Sequence, residues 1–270
     1  MSRISATFQA LQAKGEKALV AYLMAGDPDP QRAVGYFEAL VRGGADVVEI
    51  GVPFSDPVAD GPVIQAAGVR ALKAGTGWDA VFSLVTTLRT QSEVPLVLMS
   101  YYNPIFVYGE EALVERCQTC GVDGLIVPDL PVEEVATLNR LARSAGVDVI
   151  CLATPETPEA RLKRLAEASR GFLYVVGRYG VTGDGQTLGS ATTSLIKKVR
   201  STVNDLPLAV GFGLSKPDHL RAVFEAGADA AIVGSALVNE VGNHAEPSAL
   251  QQRVGALKAA TRGASTAPLG

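Results

Sequence analysis

Eight short apolar runs, each followed by a segment of helical periodicity, recur along the chain. The runs are rich in Val, Ile and Leu without polar interruption, which is typical of parallel strands covered on both faces. The segments between them repeat apolar residues every three or four positions, as an amphipathic helix does. This period predicts helices over 31–42, 79–90, 132–144, 158–168, 191–203 and 217–225. The runs cover residues 18–24, 46–50, 95–99, 124–127, 148–152, 172–176, 208–210 and 230–233.

The number of units predicts the fold class. Eight strand–helix units match a (β/α)8 TIM barrel, which takes about 250 residues as one domain. An open doubly wound sheet is the rival, but it uses fewer strands and a GxGxxG turn after its first strand, which this chain lacks. We therefore predict an α/β fold with one barrel domain over residues 1–270. We also expect an extra N-terminal helix over 4–14 that covers the barrel bottom, and a disordered tail over 264–270.

A three-residue motif occurs at four junctions between a helical segment and an apolar run. It consists of glycine, then alanine or valine, then aspartate. It ends at Asp46, Asp123, Asp148 and Asp229. A glycine at this point can end a helix in the left-handed conformation without the steric strain that a Cβ would cause. The motif therefore predicts a repeated junction between a helix and the strand that follows it.

Composition excludes several classes of function. The formal charge is −4, whereas nucleic acids and anionic membranes attract basic surfaces. No apolar run reaches the length of a transmembrane helix, and the N-terminus lacks the apolar core of a signal peptide. Three cysteines cannot all pair, which fits a reducing compartment. We expect a cytoplasmic protein that binds neither nucleic acid nor membrane.

Histidine and cysteine chemistry is also disfavoured. The two histidines, His219 and His244, are far from the glycine-rich segments, so a histidine triad or a multi-histidine metal site is not expected. Cys117 and Cys120 form a CxxC motif on a helical stretch without a second cysteine pair. We interpret them as ordinary buried thiols, with a redox or metal role as the alternative.

Glycines follow the last three apolar runs, where barrels commonly bind phosphate. Gly183 lies in the loop after the sixth run, Gly211 and Gly213 end the seventh, and Gly234 and Ser235 follow the eighth. Glycine lets the backbone approach an anion closely, and the next helix adds its positive end. We predict a phosphate site here, the alternative being ordinary turn glycines.

One carboxylate interrupts an otherwise apolar strand. Glu49 lies near the end of the second run, where burial would raise its pKa and suit it to acid–base work. Asp56 and Asp60 follow in the next loop. Spacing alone does not decide which of these two aspartates acts with Glu49.

Several longer motifs resemble the tryptophan synthase alpha chain family over about 230 residues and in the same order. They are GVPFSDPVADGPVIQ at 51–65, SYYNP at 100–104, GVDGLIVPDLPVEE at 121–134, RYGVTG at 178–183, GFGLS at 211–215 and IVGSALV at 232–238. The resemblance implies a lyase that cleaves 1-C-(indol-3-yl)glycerol 3-phosphate to indole and glyceraldehyde 3-phosphate in tryptophan biosynthesis.

The resemblance also implies roles for individual residues. Glu49 and Asp60 match the catalytic pair, and Tyr174 matches a tyrosine close to the substrate. The phosphate-loop positions are Gly183, Gly211, Phe212, Gly213, Gly234 and Ser235. The positions that line the indole pocket are Tyr22, Met99, Tyr101, Pro128 and Ile232.

A partner is implied as well. The family forms an α2β2 heterotetramer with a beta chain that carries pyridoxal phosphate, and the alpha chain itself needs no metal or organic cofactor. The interface positions are Asp56, Pro57, Asn103, Pro104, Asp129 and Pro131.

The chain departs from the family at three places. Tyr22 stands where phenylalanine is usual, and Gly177 stands where serine is usual. The stretch 184–190 lacks a basic residue that many relatives carry, and we expect this loop to be mobile until phosphate binds.

Three other functions remain as alternatives. The chain could act alone and release free indole, or it could be a silent barrel that only activates a beta-type partner. Another phosphate-handling barrel of aromatic amino-acid or histidine biosynthesis would need a lysine or a Cys/Asp pair at strand ends, and no lysine ends a strand run.

Overall fold

The computed structural model describes residues 1–177, 190–203, 205–211 and 213–262. Its strands are β1 (Ala18–Met24), β2 (Val47–Gly51), β3 (Leu96–Met99), β4 (Gly124–Ile126), β5 (Asp148–Ile150), β6 (Leu152–Ala153), β7 (Leu173–Val176), β8 (Leu208–Gly211) and β9 (Ala230–Val233). All of them pair in parallel in one sheet of order β5-β4-β3-β2-β1-β9-β8-β7-β6.

The sheet closes through the fifth apolar run. β5 pairs with β4, β6 pairs with β7, and only Cys151 separates β5 from β6. The Cys151 carbonyl accepts a hydrogen bond from the Tyr174 N–H at 3.0 Å, so the run continues across the break. β5 and β6 are therefore two parts of one predicted strand, and the predicted eight-stranded barrel is confirmed.

Helices follow the strands and surround the barrel. They are α1 (Arg3–Ala13), α2 (Pro30–Arg42), α3 (Pro62–Lys73), α4 (Trp78–Gln91), α5 (Tyr102–Tyr108), α6 (Glu110–Cys120), α7 (Ala136–Ser144), α8 (Glu159–Ala168), α9 (Ser190–Thr202), α10 (Pro217–Glu225), α11 (Ser235–Gly242) and α12 (Pro247–Ala259). Within the described part of the chain, none of these helices has the length and apolar character to span a membrane.

Most predicted element boundaries agree with the structure within one or two residues. The exception is the helix predicted over 132–144, which begins only at Ala136. Residues 132–135 form turns after Pro131, where the Glu134 N–H donates to the Pro131 carbonyl at 2.9 Å. The start of that prediction was wrong because valines in a turn can mimic the apolar period of a helix. The predicted tail, 264–270, lies outside the described residues.

The barrel interior has its own apolar core, closed at the bottom by α1. Ile4, Phe8 and Leu11 of α1 are buried with inward residues of the strands. The Phe8 ring lies 5.9 Å from the ring of Phe172, between centroids. The predicted N-terminal helix is therefore confirmed, and it keeps water out of the lower barrel. A second, larger core fills the space between strands and outer helices.

Three of the four junction aspartates share one arrangement. Each carboxylate accepts the N–H at the start of a neighbouring strand: Asp46 from Leu19 at 2.7 Å, Asp123 from Leu96 at 2.9 Å and Asp229 from Leu208 at 3.0 Å. Each also pairs with a basic side chain, which is Lys258, Arg89 and Arg200 respectively. The repeated motif in the sequence thus marks residues that join adjacent strands at their N-terminal ends.

We predict that Asp123→Ala lowers the free energy of unfolding by about 2–4 kcal/mol, because it leaves the partly buried Arg89 guanidinium and the Leu96 N–H without their acceptor. Urea denaturation at pH 7 measures this. Glu93→Ala is the control, since it removes only the exposed partner of Arg3 and should leave the midpoint unchanged. Equal midpoints for wild type and Asp123→Ala would contradict the stabilising role.

Candidate active site

The Glu49 carboxyl is buried inside the barrel. It lies on β2 between Tyr22 of β1 and Val97 of β3 in the strand register, and it is 1% exposed. Its Oε2 atom has no hydrogen-bond partner among the described residues. Two effects raise the Glu49 pKa to about 8: burial is the larger, and the nearby Asp60 is the second. Glu49 therefore holds a proton at neutral pH.

Asp60 lies in the loop between β2 and α3, and neighbouring side chains fix that loop. The Ala59 N–H donates to the Tyr101 hydroxyl at 2.9 Å, and the Gln65 side-chain amide donates to the Asp60 carbonyl at 2.8 Å. Partial burial raises the Asp60 pKa to about 6, and the Tyr101 hydroxyl opposes that shift. Asp60 is therefore largely ionised at pH 7.

These two carboxyls form a pair with split protonation states. One neutral acid and one carboxylate in the same site are what combined acid–base and electrostatic catalysis requires. Asp56, in contrast, is exposed and contacts the hydroxyl of Ser55. Burial thus distinguishes the two aspartates that spacing left open, because only Asp60 interacts electrostatically with Glu49.

Two buried tyrosines lie in the same interior. Tyr22 and Tyr174 are 6% and 7% exposed, and their hydroxyls have no hydrogen-bond partner among the described residues. A Cβ atom on Gly51 would lie 2.1 Å from the Tyr22 hydroxyl oxygen, and one on Gly211 would lie 2.5 Å from that of Tyr174. These two glycines therefore leave room for tyrosine hydroxyls, a packing reason that sequence analysis missed.

The inward side chains at the upper end of the interior are less buried than those below them. Met99 and Val176 are inward-facing residues near strand ends that are only half-buried, while Ile232 is fully buried below them. Tyr101 is 4% exposed and contacts Phe54 with ring centroids 5.5 Å apart. Pro128 is half-buried in the loop after β4. The predicted ring-pocket residues thus lie on β1, β3 and β9 or in the loops that follow β3 and β4.

The structure describes four of the six predicted phosphate positions, which are Gly211, Gly213, Gly234 and Ser235. Gly213 follows β8 with a φ of 76°, which favours glycine, and Gly234 precedes α11, whose first turn has no side-chain cap. Ser235 is the first residue of that helix. Gly183 and Phe212 lie outside the described residues, and so does the loop over 184–189 whose mobility we expected.

The departure at Gly177 has a structural reason. A Cβ atom there would lie 2.6 Å from a methyl carbon of Thr192 on α9, so a serine would need that helix to shift. The Gly177 N–H donates to the Gly211 carbonyl at 2.9 Å, which continues the pairing of β7 with β8.

The predicted interface positions share the same face of the barrel. Asp56, Asn103, Asp129 and Pro131 are exposed, and Pro57 and Pro104 are half-buried. Three large apolar side chains that sequence analysis missed are exposed nearby: Val58 at 83% in the loop before α3, and Phe106 at 66% and Val107 at 78% on α5. The signal for the last two was α5 itself, a short helix of largely apolar sequence after a strand end.

The cysteines are structural in character. Cys117, Cys120 and Cys151 are all free and buried, and burial raises the pKa of Cys117 to about 12. A thiol with such a pKa is unreactive at neutral pH. Within the described ranges, no three His, Cys, Asp or Glu side chains come together as metal ligands.

The fold and the site define a parallel (β/α)8-barrel enzyme with a buried acid–base pair at the carboxyl ends of its strands. The family model described as "Tryptophan synthase alpha chain" matches residues 8–266. The chain belongs to the tryptophan synthase alpha chain family, and it is a lyase of tryptophan biosynthesis.

Individual relatives are similar over most of the chain. The tryptophan synthase alpha chain of Solibacter usitatus is 46% identical over 93% of this chain and 93% of its own length. That of Methanosarcina acetivorans is 49% identical over 89% and 88%. The solved tryptophan synthase of M. tuberculosis matches with a TM-score of 0.88 and 32% identity, over 97% of this chain and 99% of that chain.

A solved tryptophan synthase a2b2 complex from Pyrococcus furiosus also matches. It has a TM-score of 0.84 and 38% identity, over 90% of this chain and 98% of that chain. The predicted barrel and the predicted family are therefore both confirmed.

We predict that Glu49→Gln stabilises the protein, and more so as the pH rises. The pKa of Glu49 is about 8 when folded and near 4.5 when unfolded, so the folded state binds the extra proton between these values. The contribution that this proton makes to the free energy of unfolding is therefore present at low pH and is lost as the pH rises through 8. The variant, which has no charge to bury, should gain on the order of a few kcal/mol over wild type at pH 8.5.

Thermal unfolding at pH 5 and pH 8.5 measures this difference. Glu167→Gln, at an exposed carboxyl, is the control and should show the same small effect at both values. A gain for Glu49→Gln that does not grow with pH would contradict the buried-acid interpretation.

Proposed function

We propose that this chain cleaves 1-C-(indol-3-yl)glycerol 3-phosphate by a retro-aldol reaction to indole and D-glyceraldehyde 3-phosphate. The observation that carries the proposal is the buried, protonated Glu49 beside the ionised Asp60 at the barrel mouth of a tryptophan synthase alpha chain family member. Tyr174 faces the same space and completes the proposed catalytic set.

The chemistry accounts for this pairing. The bond between ring carbon C3 and chain carbon C3′ breaks only when the indole ring can accept its electrons, which follows protonation at C3. Glu49 gives that proton and then takes one from the 3′-hydroxyl as the aldehyde forms. The protonated ring carries positive charge toward N1, which the Asp60 carboxylate stabilises. Acid–base transfer of this kind contributes about 10²- to 10⁴-fold to the rate.

The phosphate group anchors the substrate away from the reacting bond. We assign it to the backbone at Gly211, Gly213, Gly234 and Ser235, together with Gly183 and Phe212. The support is the uncapped first turn of α11, whose free N–H groups suit an anion. Binding energy from this remote group orients the reacting end. The reaction needs no metal or organic cofactor on this chain.

The proposal is tested by measuring indole release from indoleglycerol phosphate. We predict that Glu49→Gln lowers kcat by about 10²- to 10⁴-fold, because it removes the group that moves both protons. Asp60→Asn should lower kcat by about 10- to 10³-fold, since an amide cannot balance the charge at N1. Asp56→Asn is the matched control and should retain the lyase activity of the isolated chain.

The same assay separates the alternatives. A silent barrel predicts no indole from wild type at all, which would contradict the proposed function. A stand-alone lyase predicts equal turnover with and without a beta chain.

We further propose that the chain works in an α2β2 heterotetramer with a beta chain that holds pyridoxal phosphate. The similar Pyrococcus furiosus protein is an a2b2 complex. The proposed contact surface consists of Asp56, Pro57, Asn103, Pro104, Asp129 and Pro131, together with the exposed Val58, Phe106 and Val107. Apolar side chains exposed on the catalytic face are typical of a surface that a partner covers.

We predict that Phe106→Asp weakens binding of the beta chain at least tenfold, because it places a charge in the centre of the apolar contact. Titration calorimetry with purified beta chain measures the affinity. Val69→Asp is the control, since Val69 is a half-exposed valine of α3 outside the proposed surface and its change should leave the affinity unaltered. Unchanged affinity for Phe106→Asp would contradict this surface.

A further inference from the structure

The Tyr22 hydroxyl is an unpaired hydrogen-bonding group beside the acid pair. Tyr22 is 6% exposed, and its hydroxyl has no partner among the described residues. The buried Tyr36, by contrast, donates its hydroxyl to the Ala245 carbonyl at 2.8 Å. Where a hydroxyl on a buried side chain has no protein partner and lies beside the acid pair, we expect its hydrogen-bond partner to arrive with the substrate.

Neighbouring glycines fix the position of this hydroxyl. Tyr22 is the cross-strand neighbour of Glu49, and its hydroxyl lies where a Cβ of Gly51 would otherwise be, at 2.1 Å. A Cβ on Gly234, from the opposite neighbouring strand end, would lie 3.3 Å from the tyrosine ring. Residues two apart on a strand share a face, so the hydroxyl lies one layer above Glu49, toward the barrel mouth.

The charges around Tyr22 keep its proton in place. The titratable groups that face it are Asp60, Glu49, Tyr174 and Tyr101. Burial and these acidic neighbours hold the Tyr22 pKa well above its usual value. Tyr22 is therefore a neutral hydrogen-bond donor at every pH at which the enzyme would work.

We infer that Tyr22 is a further catalytic residue whose hydroxyl donates a hydrogen bond to the 3′-oxygen of the substrate as the C3–C3′ bond breaks. The inference rests on the proposed function, in which the 3′-hydroxyl passes its proton to Glu49. That oxygen must then lie next to Glu49, within reach of the side chain beside it. Tyr174 approaches from β7 on the other side of the barrel, where its hydroxyl lies over Gly211 instead.

The step balances with the groups present. C3 takes the proton of Glu49, and the electron pair of the broken C3–C3′ bond returns to the ring. The 3′-oxygen forms the aldehyde carbonyl and gives its proton to Glu49, which ends as it began. Tyr22 keeps its own proton throughout and stabilises the negative charge that develops on the oxygen.

The kinetic test compares Tyr22→Phe with wild type in the indole-release assay. Loss of the donor should lower kcat about tenfold to a hundredfold while KM changes less than about twofold. Tyr36→Phe is the matched control, since it removes a buried tyrosine hydroxyl that lies on the outer helix α2 and donates to the Ala245 carbonyl, and it should leave kcat unchanged. An unchanged kcat for Tyr22→Phe overturns the inference.

A binding test separates this role from simple packing. The probe is 3-(indol-3-yl)propyl phosphate, which keeps the ring and the phosphate but lacks the 3′-hydroxyl. Its affinity should be the same for wild type and Tyr22→Phe. If the variant binds this probe much more weakly, Tyr22 acts by shaping the ring pocket and the catalytic role is wrong.

A second variant moves the whole side chain without removing the hydroxyl. In Gly51→Ala the new methyl carbon would lie 2.1 Å from the Tyr22 hydroxyl oxygen and 2.6 Å from its ring carbon Cζ, so the side chain must move and kcat should fall. An unchanged kcat for Gly51→Ala would overturn the inference. A wild type that releases no indole contradicts the proposed function itself, whereas turnover that survives Tyr22→Phe contradicts only the role of Tyr22.

Discussion

The burial of one carboxyl group without a hydrogen-bond partner is the constraint on which the site depends. Glu49 keeps its proton at neutral pH mainly because the strands around it exclude water, with the nearby Asp60 as the second cause. The barrel closes at Cys151, and α1 covers the bottom. Without this closure water would reach the inward side of β2, and Glu49 would ionise like an ordinary surface glutamate. The fold is thus a direct condition of the acid chemistry.

The glycines at the strand ends have more than one cause. Gly51 and Gly211 leave space for tyrosine hydroxyls, whereas Gly213 takes a positive φ and Gly234 precedes a helix without a side-chain cap. The hydroxyls of Tyr22 and Tyr174 lie close to Gly51 and Gly211 in the upper barrel. A Cβ atom on either glycine would displace the tyrosine beside it. Two of the glycines at strand ends are therefore explained by the packing of tyrosine side chains beside the acid pair.

Local sequence patterns predicted the parts of the fold that depend on local physics. The apolar runs, the helix over 217–225 and the junction aspartates follow from periodicity and turn chemistry. The interruption at Cys151 and the close approach of Gly177 to Thr192 did not, because each depends on packing between separate elements. The late start of α7 was missed because a local turn after Pro131 carries valines at helical spacing. In the site, the apolar context of Glu49 was visible in the sequence. Spacing left Asp56 and Asp60 open, and it was the family resemblance that favoured Asp60 for the catalytic pair.

The stabilising ion pairs and the acid pair lie at opposite ends of the barrel. At the N-terminal ends, Asp46, Asp123 and Asp229 are each paired with a cation and a strand N–H. At the carboxyl ends, the Glu49 Oε2 atom is buried without a partner, and the Tyr22 hydroxyl has no partner among the described residues. Unpaired buried polar groups destabilise a fold, so they are tolerated only where a rigid frame holds them. Because parallel strands keep the two ends apart, the ion pairs below can hold the register of β2 without neutralising the carboxyl above. Residues at the carboxyl ends can therefore be replaced without loss of the ion pairs that hold the strands together.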